Sequence, residues 1–318
     1  MKKDFINKEF IEGRLYQHNL VMKTVKNEQS TEFGKEFISG TIDIATDEEG
    51  LNVIPVHFTY VTEITKNGKV NATYTNLRNS INGARTWVTD GKDMALRLRV
   101  NTALGLNDFY NNNGELVSAK RNEGGFVSTV TELVPEAQRS TFDCDIVITS
   151  VTRVEANPEN GVAEDFLRIK GGIFDFRKSL LPVEFTCHKE SGGMDYFESL
   201  DASPSNPIFT EVKGQIVSNT ITREIEEESA FGTASVKTVT RTVKEWQITW
   251  AKPVEYDFGA EDTLTEAELT KAMQDREVYL ATVKKNHDDY IASRANAKPN
   301  TGTSVENAMN VPQGKFSF

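Results

Sequence analysis

Ile54-Pro55-Val56-His57-Phe58-Thr59 decides the fold, because it returns later in the chain as Leu181-Pro182-Val183-Glu184-Phe185-Thr186. Both hexapeptides alternate apolar and polar side chains with a period of two, which is typical of a β-strand with one buried face. Proline is tolerated at the start of such a strand because no ladder donor is needed there. The apolar positions agree between the copies, whereas one outward position differs, with His57 in one copy and Glu184 in the other. We therefore expect a duplicated strand whose two copies do different jobs.

A second match precedes each hexapeptide and extends the internal repeat. Gly40-Thr41-Ile42-Asp43-Ile44 corresponds to Gly172-Ile173-Phe174-Asp175-Phe176. Asp43 lies 12 positions before Pro55, and Asp175 lies 7 positions before Pro182. Loop length changes at small cost, whereas a shift of strand register moves every side chain to the other face. The spacing thus predicts a duplicated β-domain in which one loop has shortened by five residues.

The length and the charge distribution divide the chain. At 318 residues it has room for two domains and an appendage. We expect a first domain at 1–137, a second at 138–260, a helix at 261–295 and a disordered tail at 296–318. The first domain has 16 basic and 18 acidic side chains, whereas 138–262 has 13 and 22, so the second copy holds most of the net charge of −11. A polyanion would meet the first copy more readily.

The cysteines and the N-terminus bear on the cellular compartment. Cys144 and Cys187 lie in strand-like runs without a CxxC partner or a nearby histidine cluster, so we expect reduced core residues. The N-terminal segment has lysines but no apolar run behind them. This pattern predicts neither a signal peptide nor a membrane span. We expect a soluble protein of the cytoplasm, or of the host cytoplasm if a phage encodes it.

Alternation and turn signals predict one order of elements in both copies. In the first copy we expect strands at 10–26, 36–45 and 52–62, a short helix ending near Ile81, and then two strands that include 95–100 and end near 125–133. An Asn113-Gly114 pair signals a hairpin. In the second copy we expect strands at 140–155, 166–176 and 181–188, a helix at 194–200, and long strands at 208–226 and 235–250.

Three strands, a helix and two strands form the order found in the oligonucleotide- and oligosaccharide-binding (OB) fold, a five-stranded Greek-key barrel. Two tandem copies over about residues 10–255 resemble single-stranded-DNA-binding proteins of the kind encoded by phages and mobile elements. The fold class implied is all-β, with two tandem OB-like barrels, a C-terminal helix and a disordered tail. The function implied is non-catalytic binding of single-stranded DNA, with RNA as the alternative.

The C-terminal region differs in composition. Thr263-Leu264-Thr265-Glu266 predicts a capping box, and an apolar stripe from Leu269 through Met273 to Val283 predicts a helix that continues to about Arg294. The stripe would dock on the second barrel or pair with another copy of the chain. Phe316 and Phe318 end a tail of disordered composition, so we expect them to bind a partner such as a replication or virion protein. The tail lacks the acidic segment that bacterial single-stranded-DNA-binding proteins carry, which weakens that comparison.

Catalysis is a poor match to this sequence. The four histidines stand apart from one another, and neither an HExxH motif nor a P-loop appears. Glycine pairs such as Gly171-Gly172 are explained by turns and strand edges. We expect no catalytic site, no metal and no cofactor.

Nucleic-acid binding is the better match, because a single strand needs cations for its phosphates and flat rings for its bases. The candidates in the first copy combine both types, although each ring has an alternative role in the core and each cation one on a solvated surface. They are Tyr16, Lys23, Lys26, Lys35, Phe37, His57, Arg78, Arg85, Trp87, Arg97, Arg99, Phe109 and Tyr110. The second copy has fewer candidates within an acidic domain: Phe174, Phe176, Arg177, Lys178 and Trp246.

Two functions remain as hypotheses. In the first, the chain coats single-stranded DNA chiefly through the first barrel, while the second barrel and the helix organise a homo-oligomer. In the second, the barrels are protein-protein adaptors of a phage structure, which the overall acidity and the long hairpin at 208–250 favour. Neither hypothesis involves a membrane.

Overall fold

The computed structural model describes residues 5–157, 162, 164–227, 235–254 and 264–296, with side chains omitted at 219–242 and 294–296. Most of it is β structure. The strands are β1 (Asn7–His18), β2 (Val21–Thr24), β3 (Glu36–Ala45), β4 (Val53–Thr62), β5 (Arg97–Thr102), β6 (Leu104–Tyr110), β7 (Leu116–Glu123), β8 (Phe126–Thr129), β9 (Ser140–Val154), β10 (Phe166–Phe174), β11 (Leu180–His188), β12 (Ile208–Glu227) and β13 (Ser235–Ala251). The α-helices are α1 (Ala72–Ile81), α2 (Trp87–Asp90), α3 (Met194–Glu198) and α4 (Glu266–Asn296).

The pairings of β1 to β7, which we name the first unit, return to the strand where they begin. β1 pairs with β3, β3 with β4, and β4 with β7 in parallel at His57 and Glu123. β7 pairs with β6, which follows β5 after one residue, and β5 pairs with β1. α1 lies between β4 and β5 in the chain, capped by the side chain of Asn71. This order is consistent with an OB-like all-β fold.

The pairings of β9 to β13, the second unit, repeat that order. β9 pairs with β10, β10 with β11, β11 with β13 in parallel at Thr186 and Gln247, β13 with β12, and β12 with β9. α3 takes the place of α1. The repeated hexapeptides therefore occupy the same place, because Ile54–Thr59 lies in β4 and Leu181–Thr186 in β11, the third main strand of each unit.

The predicted correspondence of Asp43 with Asp175 is wrong, because the two residues occupy different places in the strand pairing. Pro55 of β4 faces Asp43 of β3, whereas Pro182 of β11 faces Gly172 of β10. Asp43 thus corresponds in space to Gly172, three positions before Asp175. Since Gly172 lies 10 positions before Pro182, the connection is shorter by two residues and not by five. A match of five apolar-polar letters does not fix the pairing, because the side chains of any strand alternate in the same way.

In the first unit, the predicted first strand and the predicted number of strands after the helix are wrong, whereas the predicted hairpin is confirmed. The strand predicted at 10–26 is divided after His18, because the side chain of Asn19 accepts a hydrogen bond from the Thr41 amide at 2.6 Å. Four strands follow α1 where two were predicted. Ala103 separates β5 from β6, and an additional strand, β8, pairs with β5. The hairpin at Asn113-Gly114 is confirmed, with Gly114 at φ 76° between β6 and β7.

β1 joins the two units into one sheet. Asn7 to Ile11 pair with Cys144 to Ser140 of β9, while the other edge of β1 pairs with β5. One buried hydrophobic cluster extends across both units, from Ile11 and Leu15 to Phe185 and Trp246. Cys144 and Cys187 are free and buried in strands of the second unit, as predicted.

Helix α4 docks on both units. Leu264 and Ala272 are buried against Phe174 and Phe209 of the second unit, and Arg276 binds Asp108 of β6. The capping box lies two residues beyond the predicted one, because the Thr265 hydroxyl accepts from the Glu268 amide at 3.2 Å while the Glu268 carboxylate accepts from the Thr265 amide at 2.9 Å.

The apolar stripe is confirmed at Leu269 and Val283, whereas Met273 faces solvent. None of the described helices has the length and apolarity needed to span a membrane.

Candidate nucleic-acid interface

The outward side chains of β3 and β4 form a surface that we call the β3–β4 face. Ile38, Ile42, Ile54, Val56 and Phe58 point into the core and are buried. Strand alternation places the residues between them on the opposite side. The β3–β4 face is lined by Phe37, Thr41, His57, Thr59 and Tyr60.

Two aromatic rings lie together at one end of the β3–β4 face. The rings of Phe37 and Tyr60 have centroids 4.6 Å apart, and Tyr60 is 40% exposed. A bulge near Gly40 brings Tyr60 outward, because two residues of β4 face one residue of β3 there. Phe33, in the loop before β3, is a third ring and is 55% exposed. The sequence pattern indicated Phe37 but did not single out Tyr60 or Phe33.

Lysines border these rings. Lys23 of β2 lies opposite Phe37, and its ammonium donates to the Ser39 hydroxyl at 3.0 Å. Lys35 pairs with Glu32 at 2.6 Å, and Lys26 is exposed in the loop. The pKa of the Tyr60 hydroxyl is raised by burial and by Glu32, so Tyr60 is neutral at physiological pH. Rings and cations therefore occur together here, as single-strand binding requires.

His57 lies further along the β3–β4 face as a neutral side chain. Its Nδ1 lies 3.0 Å from the Thr41 hydroxyl. Burial is the main cause that lowers the pKa of His57 to about 4, and the nearby cations Arg121 and Lys244 contribute to the same shift. His57 therefore offers a hydrogen bond and no charge at neutral pH.

A cleft begins beside His57, where β4 and β7 of the first unit approach β12 and β13 of the second. It is a small cleft that opens to solvent, and its lining includes Lys120, Arg121, Lys244, Glu245 and Trp246. Arg121 Nη2 donates to the Thr59 hydroxyl at 2.7 Å, which connects the cleft to the β3–β4 face. None of the three cations was predicted from the sequence, because Lys120 and Arg121 of β7 meet Lys244 of β13 only where the two units pack together.

Arg97 and Arg99 share the outward side of β5, as predicted, but both bind within the chain. Arg99 Nε donates to the buried carboxylate of Glu12 at 2.5 Å, and its guanidinium lies 5.5 Å from the Phe10 ring centroid. Arg97 Nη1 donates to the carbonyl oxygen of Thr131 at 2.6 Å. These contacts give both arginines a structural role on a different surface from the β3–β4 face.

The remaining candidates of the first unit are dispersed. Tyr16 and Trp87 contact each other at 6.1 Å, with Lys92 above the Trp87 ring. Arg78 donates to the Tyr74 hydroxyl at 3.0 Å, and Arg85 contacts the Met94 sulfur.

Tyr110 is covered by α4. The His287 ring lies 5.5 Å from the Tyr110 ring, and the Lys284 ammonium lies 5.8 Å from it. Phe109 is exposed on the same strand. The structure therefore brings together Lys23, Lys26, Lys35, Phe37 and His57 on or beside the β3–β4 face and places the other described candidates elsewhere.

The second unit offers fewer free rings. Phe174 and Trp246 are buried in the core, so neither ring is available to a base. Phe176 is 87% exposed, and the Arg177 guanidinium lies 4.9 Å from its centroid. Lys178 follows with a positive φ of 64°. Glu184, at the place of His57, binds Arg168 at 3.1 Å.

The predicted partner residues Phe316 and Phe318 lie outside the described residues, as does most of the predicted tail. Among the residues that the structure describes, no group of three or more His, Cys, Asp and Glu side chains is placed to hold a metal ion.

The chain is similar to the single-stranded DNA binding protein from Thermus aquaticus, solved as a crystal structure of a deletion mutant. The two share 12% sequence identity with a TM-score of 0.46, over 81% of this chain and 98% of that chain. No curated protein matches the chain. The family model described as YorF matches residues 8–286. Because that match spans most of the chain, the protein belongs to the YorF family.

Proposed function

We propose that the chain is a non-catalytic protein that binds single-stranded DNA through the β3–β4 face of its first unit. The observation that carries the proposal is the Phe37–Tyr60 ring pair, which is partly exposed and is bordered by Lys23, Lys26 and Lys35. A base stacked on such a ring gains about 1 to 3 kcal/mol, and neighbouring lysines bind the phosphates on either side.

The proposal treats the two units as tandem OB-like barrels with unequal roles. The closed pairing order of each unit supports this interpretation. The first unit is nearly neutral overall, whereas the second holds most of the negative charge and has Glu184 where the first has His57. A single strand is therefore attracted to the first unit, and the second unit supports it.

Binding of fluorescent oligothymidine, measured by anisotropy at about 50 and 200 mM salt, tests the proposal. We expect affinity in the micromolar range or tighter at low salt, and a fall of about 0.7 logarithmic units per phosphate contact for each tenfold rise in salt. Absence of binding at micromolar protein, or an affinity that does not change with salt concentration, would contradict the proposal. Oligouridine in the same assay distinguishes DNA from RNA, and a clear preference for it would shift the proposal to RNA.

A second candidate function is that of a structural adaptor. The backbone of β12 at 219–227 and that of β13 at 235–243 form a two-stranded ribbon whose described pairings are internal to the hairpin. Such a ribbon presents unpaired strand edges to a partner. Light scattering on the nucleic-acid-free protein tests this function, because a large closed assembly without DNA would favour the adaptor.

A further inference from the structure

The cleft between the two units is lined by cations that do not belong to the β3–β4 face. Lys120 and Arg121 enter it from β7, and Lys244 enters from β13. The walls come from different units and are held at a fixed separation. The Asn52 side chain accepts from the Ser218 amide at 2.7 Å and donates to the Ile216 carbonyl at 3.3 Å.

The carboxylates near the cleft already have partners of their own. Glu245 accepts from His188 at 2.9 Å and also from Thr186 and Gln247. Glu184 binds Arg168 at 3.1 Å. Glu123 lies 3.5 Å from Arg121 Nε.

Two cations remain without such a partner. Within the described part of the chain, Lys120 and Lys244 have no salt bridge or hydrogen bond. The cleft therefore has surplus positive charge.

Lys120 is held in place before any ligand arrives. Its ammonium lies 5.1 Å from the centroid of the buried Trp246 ring, so the cation of one unit packs on an aromatic residue of the other. Burial lowers the pKa of Lys120, while Glu184 and Glu245 act in the opposite direction. A half-buried ammonium without a hydrogen-bond acceptor is stabilised by an anion that enters the cleft.

We propose that the cleft formed by Lys120, Arg121, Lys244 and Trp246 is a phosphate-binding subsite. It would hold a backbone phosphate of a strand that passes from the β3–β4 face toward the second unit. The contact of Arg121 with Thr59 makes the two surfaces continuous. The cleft is open to solvent beside the exposed Lys244, and the burial of Trp246 excludes base stacking as its role. This inference rests on the proposed function for the identity of the strand, but not for the chemistry of the anion.

Two ligands separate the subsite from the proposed function. Inorganic tripolyphosphate probes the cleft alone, because it has phosphates and no bases, and oligothymidine probes the whole path. Both are titrated into the full chain and followed by thermal shift and anisotropy. Lys244→Gln is the principal variant because Lys244 is exposed and its loss leaves no cavity. Lys120→Met is the second, since methionine keeps the packing on Trp246. Lys285→Gln on α4 is the matched control, an exposed lysine of another element.

We expect Lys244→Gln and Lys120→Met each to weaken tripolyphosphate binding about tenfold and to lower the salt slope for oligothymidine by about 1, with Lys285→Gln unchanged. Tripolyphosphate binding that is absent, or that ignores both variants, would overturn the subsite even if oligothymidine still binds. Tripolyphosphate binding that both variants abolish, together with no oligothymidine binding, would uphold the anion site and overturn the proposed function.

Discussion

Arg276 of α4 donates to both carboxylate oxygens of Asp108 on β6, from Nη1 at 2.7 Å and from Nη2 at 2.6 Å. Both side chains are buried, and Ser118 also donates to Asp108 at 2.6 Å. The neighbouring turns of α4 pack on the second unit through Leu264 and Ala272. This one ion pair therefore fixes a helix that is seated on the second unit to a strand of the first.

Removal of one partner of this pair should destabilise the fold strongly. We expect Arg276→Met to lower the free energy of unfolding by about 3 to 5 kcal/mol, because it leaves the Asp108 carboxylate buried without its counter-ion. Denaturant unfolding of the full chain measures the change. Lys271→Ala is the control, since it breaks an exposed pair with Asp275 on the same helix and should cost less than about 1 kcal/mol. Equal effects of the two variants would contradict this role for the buried pair.

The buried carboxyl of Glu9 should make stability depend on pH. Neither of its oxygens has a hydrogen-bond partner among the described residues, and burial, with Glu123 as a second cause, raises the pKa of Glu9 well above its ordinary value. The carboxyl group of Glu9 therefore stays protonated in the folded chain at a pH where it has lost its proton in the unfolded chain. Stability from this group is present at low pH and falls as pH rises from the unfolded pKa through the folded pKa.

Glu9→Gln tests that sign. We expect its denaturation midpoint to exceed that of the wild type at about pH 8 and the difference to shrink at about pH 4, where glutamate is protonated in both states. Glu63→Gln, at an exposed carboxylate, should follow the wild type at both values. A Glu9→Gln midpoint below the wild type at the higher pH would count against the prediction.

Loss of the Phe37 ring should weaken DNA binding without unfolding the chain. We expect Phe37→Leu to reduce the affinity for oligothymidine about 5- to 150-fold, which corresponds to one lost base stack. Its salt slope should stay the same because no phosphate contact is removed. Anisotropy titrations measure both quantities. Phe126→Leu is the control, since that ring is highly exposed on β8, away from the β3–β4 face. A similar loss in both variants would point to a general effect of aromatic residues.

The His188–Glu245 pair should stabilise the second unit over a limited pH range. The hydrogen bond between the two side chains is the main cause of the raised pKa of His188. The same hydrogen bond is the main cause of the lowered pKa of Glu245, which is about 2. Stability from His188 is fully present below its ordinary value of 6.5 and is lost as pH rises through the folded pKa. Stability from Glu245 is present above 4.5 and is lost toward pH 2.

His188→Gln should therefore cost more stability at about pH 6 than at about pH 9, as measured by denaturant midpoints at the two values. A His188→Gln cost that is the same at both values would show that the pair is not charged in the folded chain.

Much of the fold could be predicted from local patterns. The strand from Glu36 to Ala45 and the five strands of the second unit lie within a few residues of their predicted ranges, because alternation is a local property. The register between β3 and β4 could not be read from the repeat, since Asp43 and Asp175 resemble each other in sequence but face different partners. Register depends on which side chains pack across strands, and one short motif does not contain that information.

The candidate site was predicted only in part, for a related reason. Phe37 and Lys23 lie close together in sequence, so their proximity across β2 and β3 could be anticipated. Arg97 and Arg99 were correctly placed outward, but their partners Glu12 and Thr131 lie far away in sequence. Lys120 and Lys244 meet only because the two units are packed together. Contacts between distant elements are properties of the assembled sheet.

Strand β1 has a consequence for how the chain reaches this structure. Residues 7 to 11 pair with 140 to 144, so more than a hundred further residues must be synthesised before the second edge of β1 is paired. Until then a row of backbone donors and acceptors is open to any extended segment nearby. Such a distant closure is slow, so we infer that newly made chains are most prone to aggregate during this interval, and that residues 140 to 144 end it.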